Sequence, residues 1–121
     1  GAEATARVEQ ASRIMFGGSL EGVHEGTLEL LTKVVPVVEI DRAEHVNGIA
    51  VVELLSRTVA GSKTAPRKLV QQGGAYVNNV RITDGERKVG IADLVTPTLL
   101  VVRGGRKDYR LVRAAAPAKQ T

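Results

Sequence analysis

Lys63, Arg67 and Lys68 open one predicted helix of this chain. Asn78 lies in a predicted turn after it and Arg81 follows that turn, and Arg103, Arg106, Lys107, Arg110 and Arg113 belong to a second hairpin. Basic side chains recurring on neighbouring elements neutralise phosphate oxygens, and free N–H groups at a helix start reinforce them. Arg67 and Gln71 are four apart and share a helix face away from Leu69 and Val70. Little other chemistry is on offer. With no cysteine, disulfides and thiolate metal sites are excluded. His24 and His45 fall outside any metal-ligand spacing, and each reads as a surface or capping histidine. There is no G-x-S-x-G nucleophile turn and no G-x-x-x-x-G-K-[ST] phosphate loop. The scattered carboxylates nominate no acid–base pair. This piece by itself reads as non-catalytic, with no catalytic residue, metal or cofactor of its own.

Charge is distributed unevenly. Residues 1–56 hold four basic and nine acidic side chains, whereas residues 57–121 hold thirteen basic and four acidic ones, within an overall charge of +4. So basic a half points to a polyanionic partner, nucleic acid before membrane. With Phe16, Tyr76 and Tyr109 as the only aromatics, a broad platform for stacking unpaired bases is not expected. No apolar run approaches the length of a membrane span, and no leader pattern is seen. The chain lacks an initial Met, its only copy being Met15, and reads as a piece of a longer protein, Gly1 being left by cloning or cleavage. Absence of cysteine fits a cytoplasmic location.

The elements that must position these residues are legible from period and punctuation. Residues 2–16 read as a helix with an apolar stripe of Ala4, Val8, Ala11, Ile14 and Met15, ended by Gly17-Gly18-Ser19. Residues 27–35 read as a short helix capped by Thr27, with Leu28, Leu31 and Val35 inward. Pro36 stops it, and "VPVVEID" reads as a strand. Asn47 is the expected cap of a helix reaching Val59, with Ile49, Val52, Leu55 and Val59 buried. A further helix over 65–72, with Pro66 in its first turn, ends at Gly73. From there the period is two. A hairpin turns at Asn78-Asn79, with Val80 and Ile82 on one face and Arg81 and Thr83 on the other; "DGE" is another turn, and a second hairpin turns at Gly104-Gly105. The class is α+β: an N-terminal helical segment and linker, then two helices packed on a mainly antiparallel sheet. A helix followed by a basic hairpin suits the backbone of a folded RNA, and no recognition helix, zinc site or basic zipper indicates a DNA reader.

The stretch "GSKTAPRKLVQQGGAYVNNVRIT" resembles the RNA-binding module named after the fourth small-subunit ribosomal protein. Its pattern runs Ser-Lys-Ser-Glu-Ala-Arg-Arg-Leu-Ile, Gly-Gly, Val-x-Val-Asn-Gly. Ser62, Lys63, Thr64, Arg67, Lys68, Leu69, Gly73, Gly74, Val77 and Asn78 match it in kind. Ala65-Pro66 replaces Glu-Ala, removing the carboxylate of a capping box, and Asn79 replaces the commoner glycine. The flanks "ASRIMFGGSLEGV", "TLELL", "VPVVEID" and "LLVVRGGRKDYRLV" are similar to the C-terminal region of bacterial tyrosyl-tRNA synthetases over roughly residues 3–113.

That resemblance implies residues 1–35 as a segment following an absent catalytic domain, 36–114 as the RNA-binding module and 115–121 as a disordered tail. It also implies tRNA(Tyr) as partner, docked for tyrosylation with ATP as substrate by a class I catalytic domain. That domain's His-x-Gly-His and Lys-Met-Ser-Lys-Ser signatures are absent here. The family dimerises through its catalytic domain, so this piece is expected to be monomeric. By matching positions Lys63, Arg67, Lys68, Asn78 and Arg81 face RNA; Arg103, Arg106, Lys107 and Arg110 are added on charge. Open alternatives are the same module from a pseudouridine synthase, a ribosome-associated heat-shock protein or a ribosomal protein, and a basic module binding an acidic protein.

Overall fold

The run Leu99–Val102 has no polar residue because both faces of its strand are covered, the pattern of strands in the middle of a layered structure. In the computed structural model, which describes residues 1–59 and 65–116, this strand is β6 (Leu99–Gly104). It pairs antiparallel with β7 (Asp108–Ala115) and with β3 (Ala75–Val77). β1 (Val37–Asp41) runs parallel to β7, and the short β4 (Val80–Arg81) closes the other edge, giving the order β1-β7-β6-β3-β4. β7 continues to Ala115, the first residue of the expected tail, and the last five residues lie outside the described ones.

Alternate residues feed two cores. Leu100, Val102 and Val112 pack with Val51, Leu54 and Leu55 of α4 (Val51–Thr58) and with Leu69 and Val70 of α5 (Pro66–Gln71). Leu99, Val101 and Leu111 pack on the opposite face with Ile14 of α1 (Ala2–Met15), Leu28 and Leu31 of α2 (Glu25–Leu31) and Val35. Two helical layers therefore enclose a mainly antiparallel sheet, an α+β fold. Leu28, Leu31 and Val35 are inward as their spacing requires.

Several expectations need correction. α1 packs through its second half: Ile14 is buried and Gln10, Ala11 and Met15 partly so, while Ala4 and Val8 lie in solvent although they share the stripe. α2 is capped by His24, not Thr27; the Gly26 N–H donates to His24 Nδ1 at 2.9 Å, and Thr27 is buried with its hydroxyl on Gln10 Oε1. Asn47 starts no helix. It ends α3 (Arg42–Asn47), Gly48 turns the chain at φ +84, and β2 (Ile49–Ala50) pairs with β5 (Lys88–Val89) before α4 begins. The apolar residues at 49–52 have helical spacing, but the backbone of Ile49 and Ala50 is recruited by a strand forty residues away, which periodicity cannot register. Val80 is exposed, because β4 is two residues long at the sheet edge and alternation does not persist to Ile82.

Candidate nucleic-acid interface

The corner after α5 is held by backbone geometry. Gly73 adopts φ +76 and the Gly74 N–H returns to the Leu69 carbonyl at 2.9 Å, which ends the helix and aims β3 back across the sheet. Asn78 and Asn79 both have positive φ, 53° and 61°, the pair of left-handed residues that a two-residue hairpin turn demands. Their side chains act inside the protein. Asn78 donates to the Asp93 carbonyl at 2.6 Å and accepts from the Val101 N–H at 2.9 Å. Asn79 Nδ2 donates to the carbonyls of Ile14 and Gly18 at 3.0 and 2.8 Å, and its oxygen accepts from Arg103 Nε. Asn78 thus braces the hairpin with both ends of its amide instead of presenting them outward, and Asn79 fastens the end of α1 to it.

The cations fall into two groups. Arg67 and Lys68 are exposed on α5, and Arg67 pairs with Glu86 at 3.0 Å. Arg67, Gln71, Thr83 and Asp84 line one shallow groove; Thr83 and Asp84 also line a second, of about 500 Å³, that holds Arg81 and Arg87. Arg67 and Arg81 thus flank one loop. Arg87 is paired with Asp93 at 2.7 Å.

The second group surrounds two tyrosines. The Arg103 guanidinium lies 3.7 Å from the centre of the Tyr76 ring and 5.4 Å from that of Tyr109, and donates to Asn79 Oδ1 and to the carbonyls of Gly105 and Arg106. Arg81 donates to the Tyr76 hydroxyl at 3.3 Å, which is the main reason the phenol is held below its ordinary pKa. Arg110 pairs with Asp108 and donates to the Tyr109 carbonyl. Arg106 and Lys107 stand exposed at the β6–β7 turn, with no ion pair among the described residues. Of the nine expected RNA-facing residues, Lys68, Arg81, Arg106 and Lys107 keep exposed cations without an acidic partner; Arg67 and Arg110 are paired, Asn78 and Arg103 are engaged internally, and Lys63 lies outside the described residues.

His24 caps α2, whereas His45 is core, not surface: it is 1% exposed, and neither ring nitrogen has a hydrogen-bond partner. Burial pushes its pKa down; the Ile40 backbone and Glu44 oppose this and Arg42 adds to it. Among the described residues no cluster of three or more His, Asp or Glu could hold a metal ion, and no helix is long and apolar enough to cross a membrane.

Sequence reading missed Phe16 and the two tyrosines as parts of this surface. Phe16 is 88% exposed and lines a groove of about 600 Å³ with Met15, Arg103, Arg106, Lys107 and Tyr109. A usable signal was present: Phe16 stands directly before Gly17-Gly18, past the last residue whose helical position could bury it.

Comparison with known proteins agrees with this architecture. Residues 27–112 match the family model described as the tyrosine–tRNA ligase SYY-like C-terminal domain. The chain is similar to the tyrosine–tRNA ligase of Roseiflexus castenholzii, 33% identical over 115 residues covering 93% of this chain and 27% of that protein. It is also similar to the tyrosine–tRNA ligases of Opitutus terrae, at 36% over 86% of this chain and 25% of the relative, and of Thermobifida fusca, at 37% over 84% and 24%. The chain spans about a quarter of the length of these relatives. The match runs from within α2 to within β7, more than half of the chain, so the chain belongs to the tyrosine–tRNA ligase C-terminal domain family.

Proposed function

We propose that this chain binds tRNA(Tyr) for a tyrosine–tRNA ligase. In the longer protein, a class I catalytic domain outside the chain activates tyrosine with ATP and esterifies the docked tRNA in the cytoplasm. That protein dimerises through its catalytic domain, and the piece described here is monomeric. The observation that carries the reading is the set of exposed, acid-free cations on α5, β4 and the β6–β7 turn of a domain with this family membership. They can neutralise phosphates along a folded RNA, and the braced hairpin fixes their spacing.

Titration of tRNA(Tyr) at several salt concentrations tests it. With about four phosphates neutralised, log affinity is expected to fall with a slope of roughly −3 to −4 against log salt. Lys68→Glu combined with Lys107→Glu, both exposed and without an acidic partner among the described residues, is expected to weaken binding while the unfolding midpoint stays in place. A flat salt response, or displacement of the tRNA by polyglutamate of equal charge as readily as by unlabelled tRNA, would overturn the reading.

A further inference from the structure

Phe16 is an anomaly among the core-forming residues, an almost fully exposed aromatic side chain on a braced backbone turn. The Phe16 N–H bonds to the Arg13 carbonyl, Gly17 turns left-handed at φ +89, and the Gly18 N–H returns to Arg13 O at 2.8 Å. A Cβ on Gly18 would meet that same carbonyl oxygen at 2.8 Å, so the turn depends on glycine there. Asn79 bonds the carbonyls of Ile14 and Gly18, which bracket Phe16 on both sides. The ring therefore stands on a braced turn instead of a loose end, so the backbone beneath it needs no ordering when something meets it.

What surrounds the ring narrows the occupant. The groove's described lining combines apolar Met15 and Phe16 with Tyr109 and three cations, and holds no acidic side chain. Arg103 is committed to Tyr76, Asn79 and two carbonyls, leaving Arg106 and Lys107 for a ligand. An apolar protein surface laid here would strip water from two unpaired cations without compensation. An acidic peptide would satisfy the cations and leave the ring idle. A nucleotide offers a flat π-face and a phosphate in one unit, and its base can reach an aromatic side chain only when it is not paired in a stem. The groove volume of about 600 Å³ lies within the range of small-ligand clefts.

We propose that this groove takes one unpaired nucleotide of the bound RNA, its base stacked on Phe16 and its phosphate at Arg106 and Lys107. This rests on the RNA-binding reading above and adds to it a place where the domain distinguishes unpaired from paired RNA. Base stacking on an aromatic side chain acts without releasing counterions, so it changes affinity and not the salt slope.

The test uses the 121-residue chain with a tRNA(Tyr) transcript and a blunt RNA duplex of equal charge. Phe16→Ala is expected to weaken tRNA binding roughly 5- to 150-fold, to leave duplex binding and the salt slope alone, and to leave the unfolding midpoint in place. Phe16→Trp should keep the affinity. Because the chain has no tryptophan of its own, the emission of that variant reports on position 16 alone, and it should be quenched by the tRNA but not by the duplex. Phe16→Ala binding tRNA as tightly as the unaltered chain, equal losses toward both RNAs, or unquenched emission at saturating tRNA would each overturn the proposal while the RNA-binding reading stands. Failure of the unaltered chain to bind tRNA would remove both.

Discussion

Arg103 donates to Asn79 and to two carbonyls while its guanidinium lies over the Tyr76 ring, whereas Arg106, three residues on, stands exposed at the turn. In the sequence they are two arginines of one hairpin, and charge alone assigns both to RNA. The planar guanidinium is what separates them, because an ammonium can neither stack in the same way nor fork to several acceptors. Arg103→Lys is accordingly expected to lower stability by about 1–2 kcal/mol in urea unfolding despite conserving the charge. Arg106→Ala is expected to stay within about 0.5 kcal/mol of the unaltered chain and to weaken tRNA binding. The reverse pairing of effects would show that the two roles are misassigned. Asn78 teaches the same lesson: its position in the family pattern is legible, but its amide turns inward to Asp93 and Val101.

At the scale of elements, the hairpin turn was legible because asparagine tolerates positive φ and two such residues in a row leave few other conformations. The reach of Asn79 to Ile14, across 65 residues, was not. Asn79→Gly keeps the backbone conformation, since glycine adopts positive φ freely, and removes three hydrogen bonds, two of which fasten the end of α1 and the turn after it to the sheet. A loss of about 1–3 kcal/mol is expected. Hydrogen exchange should show it locally, with faster exchange at residues 14–18 and unchanged protection in β6 and β7; unaltered protection at the end of α1 would refute the link. The misplaced start of α4 has a similar origin. Local period makes residues 48–50 part of a helix, yet pairing with β5 claims them for a strand, and the helix begins only at Val51.

For the whole molecule, the decisive feature is that β6 and β7 are buried on both faces, so the segment from Leu20 to Val35 forms a second core layer. Leu28→Ala should therefore destabilise as much as Leu54→Ala, each by about 2–5 kcal/mol, since both side chains are fully buried. Circular dichroism and the fluorescence of Tyr76 and Tyr109 should report one coincident transition. A marginal effect of Leu28→Ala would mean that α2 is only loosely applied to the sheet.

The sequence by itself determined the α+β class, the glycine and asparagine turns and the family, because positive-φ residues, apolar periods and ordered motifs are local properties of the chain. Only the tertiary structure decided which cations remain available to a phosphate and that Phe16 joins them. Ion pairs such as Arg67–Glu86, the stack of Arg103 on Tyr76 and the brace from Asn79 to α1 connect residues distant along the chain. A charge's availability depends on what folding places beside it, and spacing along the chain carries no record of that.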